Sequence, residues 1–207
     1  LMRLEMKGGL SSKELLDIAS VLDTTLAARQ YDDSDPSSTS QGNAEEINAD
    51  CLHTRFAELV PLEHISREIH RCIVSENEIA DDASTTLKNI RRNKKLTNDR
   101  LHNQLSKMIS DQNNQTMFQD NLITMRNGRY CIPVKNEYKN KFPGMIHDQS
   151  SSGSTVFIEP MAIVNMNNEL KELDNQEILE IEKILENLSA MAARDIEYIK
   201  YNFNTLA

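Results

Sequence analysis

The chain has 207 residues, of which 39% are hydrophobic and 5% aromatic, with no Trp and only 6 Gly and 5 Pro. This composition excludes collagen-like and disulfide-rich classes and favours long helices that carry a solvated face. The net charge of −9 indicates that the chain as a whole should not be drawn to nucleic acid or to a membrane surface.

The three cysteines are odd in number and show no C-x-x-C spacing (Cys51, Cys72 and Cys131). This pattern argues against a disulfide framework and a zinc site, and it predicts a cytoplasmic protein. No run of about 18 apolar residues predicts a membrane span. The first residues, Leu1 to Met6, lack the long apolar stretch of a signal peptide, and we expect them to come from the interior of a longer protein.

The first predicted helix begins after Ser11, because Ser11 and Glu14 form a capping-box pattern before a helical series of apolar residues. It should end near Gln30. Residues 32–46 are rich in Asp, Ser, Thr and Gly and are predicted to be a flexible loop. Helical periodicity resumes over residues 47–59.

Two further helices follow in the first half of the chain. Pro61 is predicted at the first turn of one of them, and residues 75–82 read as a polar connector. Ser84 is predicted to cap a long helix that reaches about Ser110. Its middle, residues 91–100, is nearly all polar, which is typical of a helix that projects into solvent or bridges two packed regions.

The hydrophobic period then changes to that of strands. Four short strands are predicted, at residues 122–125, 130–134, 144–147 and 155–158. The Asn127-Gly128 pair predicts a tight hairpin, because both turn residues must adopt positive φ. Pro133 predicts an edge strand or a bulge. The sheet is too small to stand alone and should pack on the neighbouring helices.

Residues 163–203 read as one very long helix with a coiled-coil-like 3-4 spacing of apolar residues, interrupted by Glu177. Its natural partner is the helix at 84–110, and the two must run antiparallel to meet. The predicted fold is therefore mainly α with a small inserted four-stranded sheet. The predicted segments are 1–120, which is helical, 121–160, which forms the sheet, and 161–207, which is the returning helix.

Several motifs between residues 122 and 173 carry a family resemblance. They are Arg126-Asn127-Gly128-Arg129-Tyr130-Cys131-Ile132-Pro133-Val134-Lys135, Pro143-Gly144-Met145-Ile146-His147-Asp148-Gln149-Ser150, Gly153-Ser154-Thr155-Val156-Phe157-Ile158-Glu159-Pro160 and Asn167-Asn168-Glu169-Leu170. Together they resemble the MutS-two branch of the bacterial MutS family, which lacks mismatch-reading domains.

The resemblance implies a helical core and lever helices with a β clamp inserted between them. It further implies a dimeric parent protein with an ATPase domain that binds ATP and Mg²⁺, and a possible endonuclease domain. The family is associated with branched DNA, with suppression of recombination and with rescue of collided ribosomes. The 207 residues contain no G-x-x-x-x-G-K-[ST] phosphate loop, so we expect no cofactor and no enzyme activity in this fragment.

Other arrangements of reactive residue types carry little weight. His147-Asp148-Gln149-Ser150 contains the residue types of a hydrolytic triad, but consecutive strand residues point in alternating directions and do not converge. The five histidines show no metal-ligand spacing. The many glutamates of the last helix are predicted to form its solvated face.

Basic residues cluster in two segments of this acidic chain. Residues 88–100 have a local charge of +5 and residues 121–147 a local charge of +4. Such patches predict phosphate contacts without base readout, although ordinary surface lysines and helix ion pairs remain an alternative. The candidate contacts are Arg91, Arg92, Lys94, Lys95, Arg126, Arg129, Lys135, Lys139 and Lys141.

Two functional hypotheses remain open. In the first, the fragment engages nucleic acid non-specifically through phosphate, either DNA or ribosomal RNA on the ribosome, and is coupled to the ATPase of a homodimeric parent. In the alternative, it is a protein-interaction or dimer-scaffolding arm. Neither hypothesis involves a membrane, and salt dependence separates the two because phosphate contacts weaken steeply with salt.

Overall fold

The computed structural model describes residues 8–34 and 55–206. The fold is mainly helical, with two small antiparallel sheets. The helices are α1 (Ser12–Ser34), α2 (Glu63–Cys72), α3 (Thr85–Ser110), α4 (Gln112–Gln115), α5 (Val164–Arg194) and α6 (Ile196–Leu206). The strands are β1 (Ile73–Ser75), β2 (Glu78–Ile79), β3 (Thr124–Arg126), β4 (Arg129–Lys135), β5 (Gly144–Gln149) and β6 (Thr155–Pro160).

The chain divides into two compact units. The first comprises the described residues up to Leu87 together with those from Glu180 onward, and the second is Lys88–Leu179. The boundaries fall within α3 and α5. The division into segments 1–120, 121–160 and 161–207 stays a prediction. Among the described residues, no helix combines the length and the hydropathy that a membrane span requires.

Helix α1 begins with the predicted capping box. The amide of Ser11 donates to Glu14 Oε2 at 2.9 Å, and the amide of Glu14 donates to Ser11 Oγ at 3.3 Å. The helix continues to Ser34, so the predicted end near Gln30 and the predicted start of a loop at residue 32 were wrong. The sequence offers no stop signal at Gln30, because no Gly or Pro occurs between the start of the helix at Ser12 and Pro36. Residues 35–54, with most of the predicted loop and part of the next helix, lie outside the described residues.

The segment between α2 and α3 differs from the prediction in two ways. Helix α2 begins at Glu63, so Pro61 precedes the helix instead of lying in its first turn. The predicted polar connector contains part of a small hairpin, in which Ile73 pairs with Ile79. The strands are too short for a period-2 pattern to be visible in the sequence. The predicted Ser84 cap is confirmed, since the amide of Leu87 donates to Ser84 Oγ at 2.9 Å.

The first unit is held by a core of aliphatic side chains from α1, α2, β1, α3, α5 and α6. Its fully buried members include Leu15, Ile65, Ile69, Leu87 and Ile199. Each comes from the apolar face of its helix, as the 3-4 spacing in the sequence indicates. The burial of these faces is the main stabilising contribution within this unit.

The second unit contains the predicted four-stranded sheet, in the antiparallel order β3-β4-β6-β5. Strands β3 and β4 form the predicted hairpin, and its turn residues Asn127 and Gly128 have φ angles of 51° and 73°. In the centre of the sheet, Ile132 pairs with Ile158. Both of these side chains are fully buried against Leu101 and Leu105 of α3, which confirms that the sheet packs on a helix.

Pro133 lies in central strand β4, so the prediction of an edge strand or a bulge was wrong. It pairs with Phe157 of β6. Its carbonyl accepts a hydrogen bond from the amide of Gln119, on the other side of the strand, where β3 has already ended. The missing N–H therefore removes no bond from the β4–β6 ladder, which explains why proline is tolerated there.

Helices α3 and α5 run antiparallel within the second unit. Lys94 contacts Asp174, Thr97 donates to Glu169, and Gln104 donates to the carbonyl of Ala162, just before α5. Residues later in α3 therefore contact residues earlier in the returning segment. The predicted uninterrupted helix over 163–203 was wrong, because α5 ends at Arg194 and α6 begins at Ile196. At the break, the amide of Asp195 donates to the carbonyl three residues earlier, which tightens the last turn.

Candidate functional site

A cluster of hydrogen-bonded polar side chains lies in the second unit, and Glu159, near the end of β6, is at its centre. Its side chain is 0% exposed, and its two oxygens accept three hydrogen bonds. Oε1 accepts from Arg129 Nη1 at 2.7 Å and from Asn167 Nδ2 at 2.8 Å. Oε2 lies 2.5 Å from His147 Nε2. Because an ionised carboxylate only accepts hydrogen bonds, the imidazole must donate through Nε2.

This network joins three strands to the beginning of α5. Arg129 opens β4, His147 lies in β5 and Glu159 lies in β6, while Asn167 and Asn168 lie in the first turns of α5. Arg129 Nη2 donates to Asn168 Oδ1 at 2.6 Å. Asn167 also bonds the backbone of Tyr130 in both directions, at 3.2 Å each. The family motifs of the sequence therefore converge on one internal polar cluster.

The electrostatics of this cluster favour an ionised Glu159. Burial alone would raise the pKa of the Glu159 carboxyl, but hydrogen bonds from Asn167, His147 and Arg129 outweigh burial and lower the pKa. The neighbouring Cys131 behaves differently, because burial raises the pKa of its thiol to about 11. Cys131 is therefore a protonated, fully buried thiol and an inert part of the sheet.

Arg126 of β3 is held beside this cluster by one residue of β5 and one of β6. Its Nε lies 3.2 Å from Asp148 Oδ2, and its guanidinium carbon lies 4.0 Å above the centre of the Phe157 ring. Nη1 donates to the carbonyl of Met125 at 3.0 Å. The two predicted phosphate contacts of the hairpin, Arg126 and Arg129, thus each form an ion pair with a carboxylate of the same chain.

The basic stretch of α3 is divided between the two faces of the helix. Arg91 and Lys94 contact Glu177 of α5 at 2.8 Å and 2.9 Å, and Lys94 also lies 2.6 Å from Asp174. Burial would raise the pKa of Glu177, but hydrogen bonds from Arg91 and Lys94 lower it. The hydrogen bond to Asp174 raises the pKa of Lys94, despite its desolvation. The glutamate that interrupts the apolar spacing of α5 is therefore matched to the polar middle of α3.

Other predicted contacts face solvent. Arg92 and Lys95 are exposed on α3, and among the described residues neither has an ion-pair partner. Lys139 and Lys141 are exposed in the turn that follows β4, and Lys141 Nζ lies 5.5 Å from the centre of the Tyr138 ring. Lys135 is half-buried and donates to the carbonyl of Thr116 at 2.9 Å.

The His147–Ser150 segment does not form a hydrolytic site. His147 contacts Glu159, Asp148 contacts Arg126, and Gln149 Nε2 donates to the carbonyl of Gly153 at 3.0 Å. Ser150 Oγ accepts from the amide of Thr155 at 3.1 Å. Within residues 8–34 and 55–206, no group of three or more His, Cys, Asp or Glu is placed to hold a metal ion.

An open groove of about 610 Å³ lies within the second unit, between α3, α5 and the β3–β4 hairpin. Met125, Tyr130 and Leu170 form its apolar part, and Tyr130 donates through its hydroxyl to Asn98 at 2.8 Å. The charged residues around it are Arg91, Lys94, Lys95, Asp174 and Glu177. The two carboxylates neutralise much of the positive charge, so the groove is not a strongly basic channel.

Two residues of the cluster, Glu159 and Asn167, lie in the quoted motifs but were not predicted as functional residues. The signal for Glu159 was available, because it is the one charged residue in the apolar strand sequence Val156-Phe157-Ile158-Glu159-Pro160. A charge in such a position requires a partner once it is buried. Nothing in the local pattern around Asn167 distinguishes it from the polar residues beside it.

Comparison with known proteins identifies relatives that match over the whole chain. The sequence is 53% identical over 207 residues to a protein named endonuclease MutS2 from Lachnoclostridium phytofermentans. It is 46% identical over 207 residues to one of that name from Agathobacter rectalis and 42% identical over 204 residues to one from Lachnospira eligens. The chain spans 26%, 25% and 24% of these three proteins, respectively, or about a quarter of their length. No protein-family profile matches the chain.

Proposed function

The chain belongs to the MutS2 family, and on that premise we propose that its second unit engages nucleic acid through phosphate contacts. The observation that carries the proposal is the pair of exposed lysines, Lys139 and Lys141, after β4. They have no carboxylate partner in the described part of the chain, although the chain as a whole has a net charge of −9. Such unneutralised cations can bind phosphate and release counterions.

The remaining candidates rank behind these two lysines. Arg92 and Lys95 are also exposed, whereas Arg91 and Lys94 are engaged by carboxylates of α5. Lys135 must give up its bond to a carbonyl to reach a phosphate. We infer that α3 and α5 act as lever helices and that the sheet acts as a clamp, as the family resemblance implies.

The whole protein's activity is also part of the proposal. We infer that this chain is coupled to an ATPase domain that binds ATP and Mg²⁺ in a homodimeric protein with an endonuclease domain. Branched DNA and ribosomal RNA are the two candidate partners, in suppression of recombination and in rescue of collided ribosomes, respectively. The relatives carry the name endonuclease MutS2 and are about four times as long as this chain. Their length supports the proposal that ATP binding and nuclease activity belong to other domains.

The test is a binding titration against labelled duplex DNA, branched DNA and structured RNA of equal length at several salt concentrations. The variant Lys139→Ala/Lys141→Ala should bind more weakly to every probe. The slope of log K against log salt should fall by roughly two units, about one for each lost contact. The matched control is Lys171→Ala/Lys183→Ala, which removes two exposed positive charges from α5.

The comparison between these two variants decides the proposal. Weaker binding in the turn variant alone supports a phosphate contact at this turn. Wild-type affinity in a folded turn variant would overturn it. An equal loss of affinity in both variants would also overturn it, because such a loss reflects only the change in net charge.

The alternative function is a protein-interaction or dimer-scaffolding arm. It is favoured by the outer strand β5, where Met145 and Ile146 are 44% and 53% exposed. An edge strand with exposed apolar side chains can accept a further strand. Binding that is insensitive to salt, and that is lost in Ile146→Lys, would support this second function.

A further inference from the structure

The two hairpin arginines, Arg126 and Arg129, differ in how accessible their ion pairs are to solvent. The side chain of Arg126 is 38% exposed and that of its partner Asp148 is 49% exposed. The carboxylate that holds Arg129 is, by contrast, completely buried. An anion from solvent can therefore reach the Arg126 pair, whereas the Arg129 pair is closed.

The contacts around Arg126 keep the guanidinium in one place even without Asp148. Its planar group lies over the Phe157 ring, and Nη1 donates to a backbone carbonyl. Stacking on an aromatic ring fixes the plane of an arginine and leaves its edge available for a bidentate oxyanion. Asp148 is itself positioned by its strand, opposite Phe157, and its Oδ1 accepts from the amide of Gln149 at 2.8 Å.

We propose that Asp148 is an internal competitor that occupies Arg126 until a phosphate of a bound polynucleotide displaces it. The inference rests on the proposed function, because it concerns how a phosphate-binding surface is regulated. A carboxylate and a phosphate oxygen are equivalent acceptors for a guanidinium, so the two compete for one donor edge. Arg126 thus becomes a phosphate contact only after Asp148 has released it.

The size of the effect follows from the exposure of the pair. Half-exposed ion pairs are weak, so breaking the Arg126–Asp148 pair costs little free energy. We expect this cost to make polynucleotide binding roughly two- to fivefold weaker than in a chain without the pair. Removing the Asp148 charge should restore that factor and leave the salt slope nearly unchanged, because Arg126 contacts a phosphate in both complexes. Thermodynamic coupling between Arg126 and Asp148 is therefore the quantity to measure.

The experiment is a double-mutant cycle with the 207-residue chain and a labelled duplex DNA, repeated at several salt concentrations. The variants are Asp148→Asn, Arg126→Gln and the double variant. Asn at position 148 keeps the Oδ1 acceptor for the Gln149 amide. The charge-matched control is Asp174→Asn, whose partner Lys94 is still held by Glu177. Circular dichroism verifies the fold of each variant.

The expected result is that Asp148→Asn tightens binding several-fold at each salt concentration, while Asp174→Asn changes the affinity much less. In the Arg126→Gln background, Asp148→Asn should have only the small effect of the control. An equal gain from Asp148→Asn and Asp174→Asn, or a gain that persists without Arg126, would overturn the competition.

The variant Lys139→Ala/Lys141→Ala separates this inference from the proposed function. If that variant weakens binding and the cycle shows no coupling, only the competitor role of Asp148 is overturned. If the wild-type chain binds no polynucleotide at any salt concentration, the proposed function fails, and the competitor role is overturned with it.

Discussion

The β3–β4 hairpin and the turn after β4 are both basic in sequence, but they differ in the partners that the fold supplies. The hairpin arginines, Arg126 and Arg129, contact carboxylates of β5 and β6. The turn lysines, Lys139 and Lys141, are exposed. Counting charges along the chain cannot separate the two regions, because the relevant carboxylates come from strands that are distant in sequence.

The same distinction divides the basic stretch of α3. Arg91 and Lys94 face carboxylates of α5, while Arg92 and Lys95 are exposed. The 3.6-residue period of the helix produces this division, because residues three apart share a face and the following residue lies to one side. Some basic residues of this protein are therefore paired with carboxylates of the same chain, while others are exposed to solvent.

The largest expected effect in this comparison comes from removing the carboxylate at the centre of the hairpin network. Glu159→Gln should lower the free energy of unfolding by about 3 kcal/mol, since it leaves the buried end of Arg129 without its counter-charge. The Gln amide also turns an N–H₂ group toward existing donors. Urea denaturation at neutral pH measures the change.

The matched control for this change is Glu137→Gln, which alters an exposed glutamate of the turn in the same way. It should change the free energy of unfolding by less than about 0.5 kcal/mol. A loss of similar size in both variants would remove the distinction between the internal hairpin and the exposed turn.

The pH dependence of stability provides a second test of the two carboxylates that accept hydrogen bonds from basic side chains, Glu159 and Glu177. The pKa values of Glu159 and Glu177 are below their ordinary value of 4.5 in the folded chain. The unfolded chain therefore takes up protons first as the pH falls, so the stabilisation is complete above about pH 4.5 and is lost below it. Urea midpoints between about pH 7 and about pH 3 should show a shallower acid loss in Glu159→Gln than in the wild type.

Much of this fold could be predicted because its signals are local. The Ser11–Glu14 capping box, the Ser84 cap and the Asn127-Gly128 turn each depend on residues within four positions of one another. The break at Asp195 and the central position of Pro133 could not be predicted. The first has no Gly or Pro to mark it, and the second depends on which strand lies on each side.

The candidate site was predictable only as a set of residue types. The sequence placed Arg126, Arg129 and His147 in motifs, but it did not show that Glu159 accepts hydrogen bonds from two of them. That information lies in the strand order, because β4 and β5 both pair with β6. Pairing partners between distant segments cannot be deduced from the periodicity of one chain.

A moderate effect is expected from the turn that supports the hairpin arginines. Gly128→Ala should lower the free energy of unfolding by about 1 kcal/mol, because Gly128 has a φ of 73° and a side chain disfavours that conformation. No atom lies within 4 Å of the added Cβ, so the cost reflects the backbone alone. Gly9→Ala is the control, since Gly9 also has open space and its φ lies outside the left-handed region. Thermal melts of the two variants should therefore differ.

The smallest effect on stability is expected from the exposed turn itself. Lys139 makes no ion pair within the described residues, and Lys141 has only a distant contact with the Tyr138 ring. Replacing either with Ala should change the free energy of unfolding by less than about 0.5 kcal/mol. Any measurable loss should come from Lys141, because an exposed cation over an aromatic ring contributes weakly. Urea denaturation of the two single variants tests this, and a loss above about 1 kcal/mol in Lys139→Ala would show that the turn is structural like the hairpin.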